Sequence, residues 1–309
     1  MAIDAGFFRS TPFIVGGIIA LAIIGTGVAS WAGVGAGLGS QFSDGCSAPT
    51  IHGSPLVATR TSAQTDATHR TITWLLDANG TQGGALAACH TSGSILVTES
   101  PDAQIHVIAR LEGDASALDK IDAEAAFARD GNGIETAAWL ARSASNGFSI
   151  HSSNGADFEI QLPNTGHYEA RASVDSGSVE LRGLLWGNVT ATADSGRITM
   201  RDVDVAGNTS LAVDSGEIDY GATAVGPSEL HASADSGTVT LALPQRADIG
   251  YDATGTADSG SVAIAIGETE QYVKEDNNVY AVTKDYASKP TKVRIVASVD
   301  SGQIAITAR

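Results

Sequence analysis

The triplet Asp-Ser-Gly occurs six times in the second half of this chain, and this repetition constrains the fold more than any other feature. Its Asp residues are Asp175, Asp194, Asp214, Asp235, Asp258 and Asp300, at spacings of 19, 20, 21, 23 and 42. A catalytic motif is normally needed once, whereas a corner is needed each time that the chain turns. A period near 20 indicates a solenoid, a propeller or an array. The last spacing is twice 21, which predicts one lap without the motif.

Apolar residues alternate with polar ones on both sides of each triplet. The residue before Asp is Val or Ala, and apolar residues stand two and four places after Gly, as at Val179 and Leu181 or at Ile198 and Met200. A period of two predicts strands, and it excludes a helix at these positions. Each repeat therefore predicts a strand, a corner and a second strand.

The triplet suits a corner because Asp can accept a hydrogen bond from the backbone two residues later, and Gly adopts positive φ without a steric penalty. Identical corners would stack equivalent strands about 4.8 Å apart in parallel. The predicted structural corners are Asp175 and Gly177, Asp194 and Gly196, Asp214 and Gly216, Asp235 and Gly237, Asp258 and Gly260, and Asp300 and Gly302.

The predicted fold class is all-β, a right-handed parallel β-solenoid with laps of about 20 residues. A propeller blade would need about 40 residues and four antiparallel strands. Roughly 10 laps at about 4.8 Å each would give a rod near 50 Å long. A ladder of Asp side chains could attract calcium. We favour a structural corner and predict no metal site, because each lap offers one carboxylate.

Less regular segments surround the clear laps. The stretch HTSGSILVTE at 90–99 resembles the same corner, with Ile95 and Val97 in the apolar positions. Residues 114–127 have helical character with Asp114 as a cap, so we expect a short helix there. The charged segment 267–290 interrupts the last laps, and we expect it to be a protruding loop and the best candidate for a partner surface.

The N-terminal region contains an uncharged stretch at residues 13–38 that is long enough to cross a membrane. Because Arg9 precedes it and no basic residue follows until Arg60, the positive-inside rule predicts a cytoplasmic segment 1–12, a single-pass helix, and an extracytoplasmic remainder. A cleaved signal peptide or a buried core helix are the alternatives. The small residues Gly25, Ala29, Gly33 and Gly37 fall four apart, which would let two such helices associate.

After this predicted anchor, residues 39–67 are expected to be a linker, and residues 68–309 the β-solenoid with its insertion at 267–290. The chain has two cysteines, Cys46 and Cys89, both on the predicted outer side. An even count in an oxidising compartment favours a disulfide between them, and two unrelated thiols are the alternative.

The segment 158–200 carries an apolar strand that ends in Leu162-Pro163, followed by strands separated by Ser-Gly corners. In this it resembles the bacterial and archaeal "putative adhesin" family of domains of unknown function, over roughly residues 68–309. The resemblance implies a β-solenoid at the envelope or cell surface, often membrane-tethered, with no established chemistry. The insertion 267–290 and the Asp before each Ser-Gly depart from the family pattern.

No catalytic or cofactor-binding set is predicted. The seven histidines show no metal-binding spacing, and nucleotide-binding and nucleophile motifs are absent from the sequence. A net charge of −17 argues against a nucleic-acid partner. We expect a membrane-anchored surface scaffold or adhesive module with a protein or glycan partner, and not an enzyme. The alternatives are a self-assembling filament subunit and a carbohydrate-processing enzyme that would use Asp202, Asp204 and Asp219.

Overall fold

A computed structural model describes residues 51–114, 121–142 and 156–309, together with Pro49 and Leu118. The predicted anchor at 13–38, with its four small residues, lies outside the described residues, and so does Cys46. Within the described ranges, no helix is long and apolar enough to cross a membrane. The described part is all-β and forms one mixed sheet.

Sixteen strands make up this sheet. They are β1 (Ser54–Leu56), β2 (Thr59–Gln64), β3 (His69–Asp77), β4 (Gly83–Glu99), β5 (Gln104–Glu112), β6 (Ile121–Asp130), β7 (Gly133–Arg142), β8 (Ala156–Leu162), β9 (His167–Arg182), β10 (Leu185–Val205), β11 (Thr209–Val225), β12 (Ser228–Leu243), β13 (Ile249–Ala265), β14 (Thr269–Glu275), β15 (Asn278–Thr283) and β16 (Thr291–Ala308). A 3₁₀ turn at Tyr286–Ser288 precedes β16.

Seven long strands contain a corner and stack in parallel, in the order β4, β9, β10, β11, β12, β16, β13. Their corner glycines are opposite one another, from Gly93 and Gly177 at one side to Gly302 and Gly260 at the other. The corner at residues 90–99 therefore belongs to the stack, as the sequence predicted. We call these seven strands the corner stack.

The apolar positions of the corner stack form continuous buried columns. One column runs through Val179, Ile198, Ile218, Val239 and Ile304, each opposite the next in the strand register and each no more than 2% exposed. The residues before Asp form a second column of Val and Ala. Because every strand contributes an apolar residue at the same height, the core is continuous from strand to strand.

The corner glycines approach one another so closely that no side chain fits. A Cβ on Gly216 would lie 1.7 Å from the carbonyl oxygen of Gly196, and a Cβ on Gly237 would lie 1.8 Å from that of Gly216. The φ angles of Gly196, Gly216 and Gly237 are 149°, 146° and 146°, a region that is essentially restricted to glycine. Glycine is therefore required for the conformation of each corner and also for the packing between corners.

Five of the six corner Asp residues do not form the Asx-turns that we predicted. At Asp194, Asp214, Asp235, Asp258 and Asp300, all described, no side-chain hydrogen bond to the backbone of the corner is formed. The physical reason is that extended backbone continues through the corner on both sides of the glycine, so the amide two residues on is not turned back toward the carboxylate.

The C-terminal strands depart from the simple order of successive laps. The strand β16 lies between β12 and β13 and pairs in parallel with both. The spacing of 42 therefore does not contain a lap that lost its motif, and that prediction was wrong. It contains instead the antiparallel hairpin β14–β15, whose second strand pairs with β13, so the segment predicted as a loop is largely ordered strand.

On the other side of the corner stack, two separate strands pair with β4. The strand β7 pairs in parallel with residues 84–89 of β4, and β8 pairs in parallel with residues 95–99. Two branches continue from these strands, β7–β6–β1 and β8–β5–β3–β2. Parallel pairing thus gives way to antiparallel pairing beyond β7 and β8.

Two expectations for this region need correction. The strands β1 and β2 lie in the segment 39–67 that we expected to be a linker. The helix expected over 114–127 is wrong from Ile121 onward, where β6 begins; before it, the Leu118 amide donates a hydrogen bond to the carbonyl of Asp114. Ile121 and Ala123 are buried and alternate with the polar Asp122 and Glu124, so the period of two prevailed over helix propensity.

Candidate functional site

The described residues form a cavity of about 510 Å³ beside the C-terminal insertion. Its lining comes from the β12–β13 connection (245–251), the start of the insertion (266–268), the end of β15 (283–285) and Lys289. We call it the terminal cavity. Four segments distant in sequence converge here because β16 returns between β12 and β13 and leaves the hairpin beside the turn that follows β12.

The floor of the terminal cavity is buried and fixed by hydrogen bonds. The Tyr251 hydroxyl donates to the carbonyl of Pro244 at 2.5 Å, and the Tyr251 amide donates to Oγ1 of Thr283 at 2.9 Å. Burial raises the pKa of the Tyr251 hydroxyl. Ile249 and Ile266, 4% and 3% exposed, complete an apolar base. A hydrogen-bonded floor holds its shape without a ligand, as in most small-molecule sites.

The same Leu-Pro turn occurs earlier in the chain without an insertion. There the Tyr168 hydroxyl donates to the carbonyl of Pro163 at 2.6 Å, and the Tyr168 ring packs edge-on against Trp186 with centroids 6.4 Å apart. The cavity is thus a common turn of this chain with an additional wall, and the insertion supplies that wall.

The rim of the terminal cavity is charged. Arg246 forms a bidentate ion pair with Asp248, with nitrogen–oxygen distances of 3.1 and 2.9 Å. Lys284 pairs with Glu268 at 3.4 Å, and both side chains are well exposed. Lys289 donates to the carbonyl of Ala247 at 2.9 Å. Basic and acidic groups therefore alternate around an apolar floor.

The Asp residues of the corner stack form a separate, exposed acidic column. Burial, and then repulsion by Asp214 and Asp300, raises the pKa of Asp235. The strand register places Asp214 and Asp300 on the two strands that flank Asp235. Within the described ranges, no group of three or more His, Cys, Asp or Glu side chains could hold a metal ion.

The three carboxylates of the enzyme alternative lie outside the terminal cavity, and two of them interact with neighbouring side chains. Asp219 pairs with Arg201 at 2.8 Å, and Asp204 accepts a hydrogen bond from the Thr223 hydroxyl. Asp202 has a φ of 54° at a register shift in β10. Two of them thus have partners within the stack, and the structure places none of the three in the terminal cavity.

His90 is the one described histidine that is fully buried. It stands in the column before the corner, opposite Val174, and its Nδ1 accepts a hydrogen bond from the Ser92 amide at 2.9 Å while Nε2 has no partner. Its ring lies 5.9 Å from that of Phe158. Burial lowers the pKa of His90 to about 4, although nearby Asp157 opposes this shift. Cys89 beside it is buried and is not a free thiol.

One wall of the terminal cavity lies in the segment that the sequence marks as exceptional, and the other does not. The segment 267–290 was the predicted partner surface, and six of its residues line the cavity: Gly267, Glu268, Thr283, Lys284, Asp285 and Lys289. Gln245 to Tyr251 were missed, because nothing in the repeat shows that β16 inserts next to β12. The available signal was the parallel between LPQ at 243–245 and LPN at 162–164, which marks both as turns leaving the stack.

No family model matches the sequence, and no curated protein matches it either. Among solved structures, the chain is similar to a putative cell adhesion protein from Clostridium sporogenes, at 13% identity over 81% of this chain and 100% of that chain, with a TM-score of 0.46. A putative adhesin from Bacteroides fragilis matches at 12% identity over 76% and 96%, with a TM-score of 0.34.

A putative adhesin from Parabacteroides distasonis matches at 7% identity over 76% of this chain and 97% of that chain, with a TM-score of 0.30. These descriptions name the family whose pattern the residues at 158–200 resemble.

Proposed function

We propose that this protein is a membrane-anchored, extracytoplasmic adhesive module whose binding site is the terminal cavity. In this proposal the corner stack is a right-handed parallel β-solenoid, residues 13–38 form a single-pass anchor with the N-terminus in the cytoplasm, and the chain catalyses no reaction. The partner is a glycan or protein of the cell surface.

The observation that carries the proposal is that the insertion builds a concave site on a rigid support. The floor is held by Tyr251 and Thr283, whereas the charged rim is exposed and available. Rigid scaffolds that present a site between loops or insertions are a common arrangement for binding.

The test is binding of the full chain, in detergent, to isolated envelope polysaccharide and to a glycan array. We expect binding to be lost when Arg246 and Lys284 are both changed to Ala. The matched control is Arg197→Ala, because Arg197 is 53% exposed and pairs with Glu217, while Arg246 is 54% exposed and pairs with Asp248. Binding that survives the double substitution, or that Arg197→Ala abolishes equally, would place the site elsewhere.

A self-assembling surface subunit is a second candidate, favoured by the two ends of the strand order. The outermost strands, β14 and β2, each have one hydrogen-bonded neighbour in the part of the chain described. A free edge can pair with a strand of another chain. Negative-stain images of the full chain would distinguish the two roles, since filaments or rings support assembly and dispersed particles oppose it.

A further inference from the structure

Lysine residues are concentrated in the C-terminal segment that borders the terminal cavity, in an otherwise acidic protein. The chain has a net charge of −17, yet four of its five lysines lie between residues 274 and 292. Three cations, Arg246, Lys284 and Lys289, line the cavity. Because charge interactions are screened over about 8–10 Å in physiological salt, a bound ligand experiences these local charges more than the net charge.

Lys289 differs from the other two cations of the terminal cavity in that it has no carboxylate partner in the described part of the chain. An ammonium group has three donors, and here one of them serves the carbonyl of Ala247. In the described part of the chain, no carboxylate lies within ion-pair distance of Lys289, whereas Arg246 and Lys284 have Asp248 and Glu268. The Lys289 stem is also positioned, since its Cγ lies over Gly250, 2.9 Å from where a Cβ would stand.

The acceptors around the same rim suit hydroxyl groups. Glu268 and Asp285 are exposed carboxylates, and Gln245 adds an amide that reaches within 3.3 Å of the position of a Cβ on Gly267. A carboxylate accepts up to four hydrogen bonds. A purely anionic ligand would be repelled by these groups, but a ligand with several hydroxyls and one negative charge would satisfy both donors and acceptors.

The size and floor of the cavity fit the same chemistry. A volume of about 510 Å³ lies within the range of roughly 300–1,000 Å³ typical of small-molecule sites. The apolar base of Ile249 and Ile266 offers a surface for the C–H face of a sugar ring. The cavity is therefore bipolar at the rim and apolar beneath, as a pyranose with a carboxylate requires.

We infer that the terminal cavity binds an acidic saccharide unit, with the sugar carboxylate on Lys289 and Arg246 and the hydroxyls on Glu268, Asp285 and Gln245. This inference rests on the proposed function and names its ligand class. The charge-assisted bond to Lys289 sets the preference for an acidic over a neutral sugar, because a neutral hydroxymethyl group makes a weaker hydrogen bond to an ammonium.

The experiment compares two probes on the full chain in detergent by titration calorimetry. One probe is a disaccharide that contains glucuronate, and the other is the same disaccharide with glucose in its place. We expect the acidic probe to bind about tenfold more tightly at low salt, as for a hydrogen bond to a charged group. We expect Lys289→Gln to remove this preference and Lys274→Gln to retain it, since Lys274 lies on β14 outside the cavity.

Three results would overturn the inference. Equal affinity for the two probes would leave the adhesive role intact but remove the acidic ligand. Loss of the preference in Lys274→Gln as well would show a diffuse charge effect. Absence of binding by either probe would exclude the sugar class, and the envelope-binding test of the double variant would then decide separately whether the cavity is a binding site.

Discussion

In both the corner stack and the N-terminal strands apolar and polar residues alternate, but the strands of the two regions pair in opposite directions. From His167 onward, strands with a glycine corner pair in parallel and in register. Before Leu162, outside β4, the strands lack that corner and pair mostly antiparallel. Alternation of apolar and polar residues is common to both regions, so alternation produces strands and the corner decides how they stack.

The difference indicates that the corner glycines set the register between the parallel strands of the corner stack. In the corner stack each glycine lies against the carbonyl of the preceding one, and a shift by one residue would bring a side chain into that contact. The N-terminal strands are aligned by their antiparallel ladders and have no equivalent constraint. Four predictions follow from this contrast, in order of decreasing effect.

The largest effect is expected from a methyl group within the corner stack. Gly216→Ala should lower the free energy of unfolding by more than about 4 kcal/mol or prevent folding, because the new Cβ would overlap the backbone of Gly196 and φ lies in a region that is essentially restricted to glycine. The control is Gly183→Ala, where φ is 58° and nothing lies within 4 Å of the new Cβ, with an expected cost of about 1–2 kcal/mol. Urea unfolding followed by circular dichroism measures both. Similar costs would show that contact between corners does not set the register.

The second-largest effect on stability is expected from loss of the predicted disulfide. A bond between Cys46 and Cys89 closes a loop of about 43 residues and is expected to contribute about 4 kcal/mol in the chain-entropy model. Reduction should therefore lower the urea midpoint of the parent and leave a Cys89→Ala variant unchanged. A parent midpoint that reductant does not shift would contradict this pairing.

The third test uses His90, which lies in β4, where the two regions meet. Because the pKa of His90 falls to about 4 in the folded state, from about 6.5 when unfolded, the unfolded state binds the proton first. The stability it contributes is present above pH 6.5 and is lost as pH falls towards 4. At the lower limit the loss is about 3 kcal/mol.

The control for this pH dependence is His90→Val, which supplies the residue found opposite at Val174. Between pH 6.5 and 5, the free energy of unfolding should change less with pH in the variant than in the parent. The carboxylates with lowered pKa values, such as Asp66 and Glu159, affect both proteins at lower pH. Equal slopes in urea unfolding at stepped pH would exclude His90 as the source.

The smallest effect concerns the acidic column. The pKa of Asp235 is raised by burial and by Asp214 and Asp300, so ionisation opposes folding and its effect disappears as pH falls below the pKa. Asp235→Asn should stabilise the protein at pH 7 by no more than about 0.5 kcal/mol, and less in high salt. Asp258→Asn, at the end of the column, should do less. Destabilisation by Asp235→Asn would contradict repulsion within the column.

The sequence predicted the corner stack well because the information is repeated. Each lap shows the same apolar positions, so Val179 and Ile198 could be aligned without knowing the structure. The N-terminal branches could not be aligned in this way, since β5 and β6 have no second copy in the sequence. The predicted Asx-turns are absent at five of the six corners, because an Asx-turn needs a chain reversal that the extended corner does not make.

Only one of the two walls of the terminal cavity could be predicted from the sequence. An insertion of charged residues between two laps could be identified as exceptional, and it supplies Lys284 and Lys289. The opposite wall around Arg246 belongs to an ordinary connection, and its role arises only from what lies beside it.

The sequence by itself determined that this chain forms strands with corners at fixed heights, because periodicity and glycine stereochemistry act over a few residues. Only the tertiary structure decided that β16 lies between β12 and β13, since parallel strands with identical corners are almost equivalent partners. The hairpin β14–β15 and its pairing with β13 select one order, and that selection creates the terminal cavity. Local chemistry thus specified the strands and their corners, and long-range packing specified the order of the strands in the sheet and the terminal cavity.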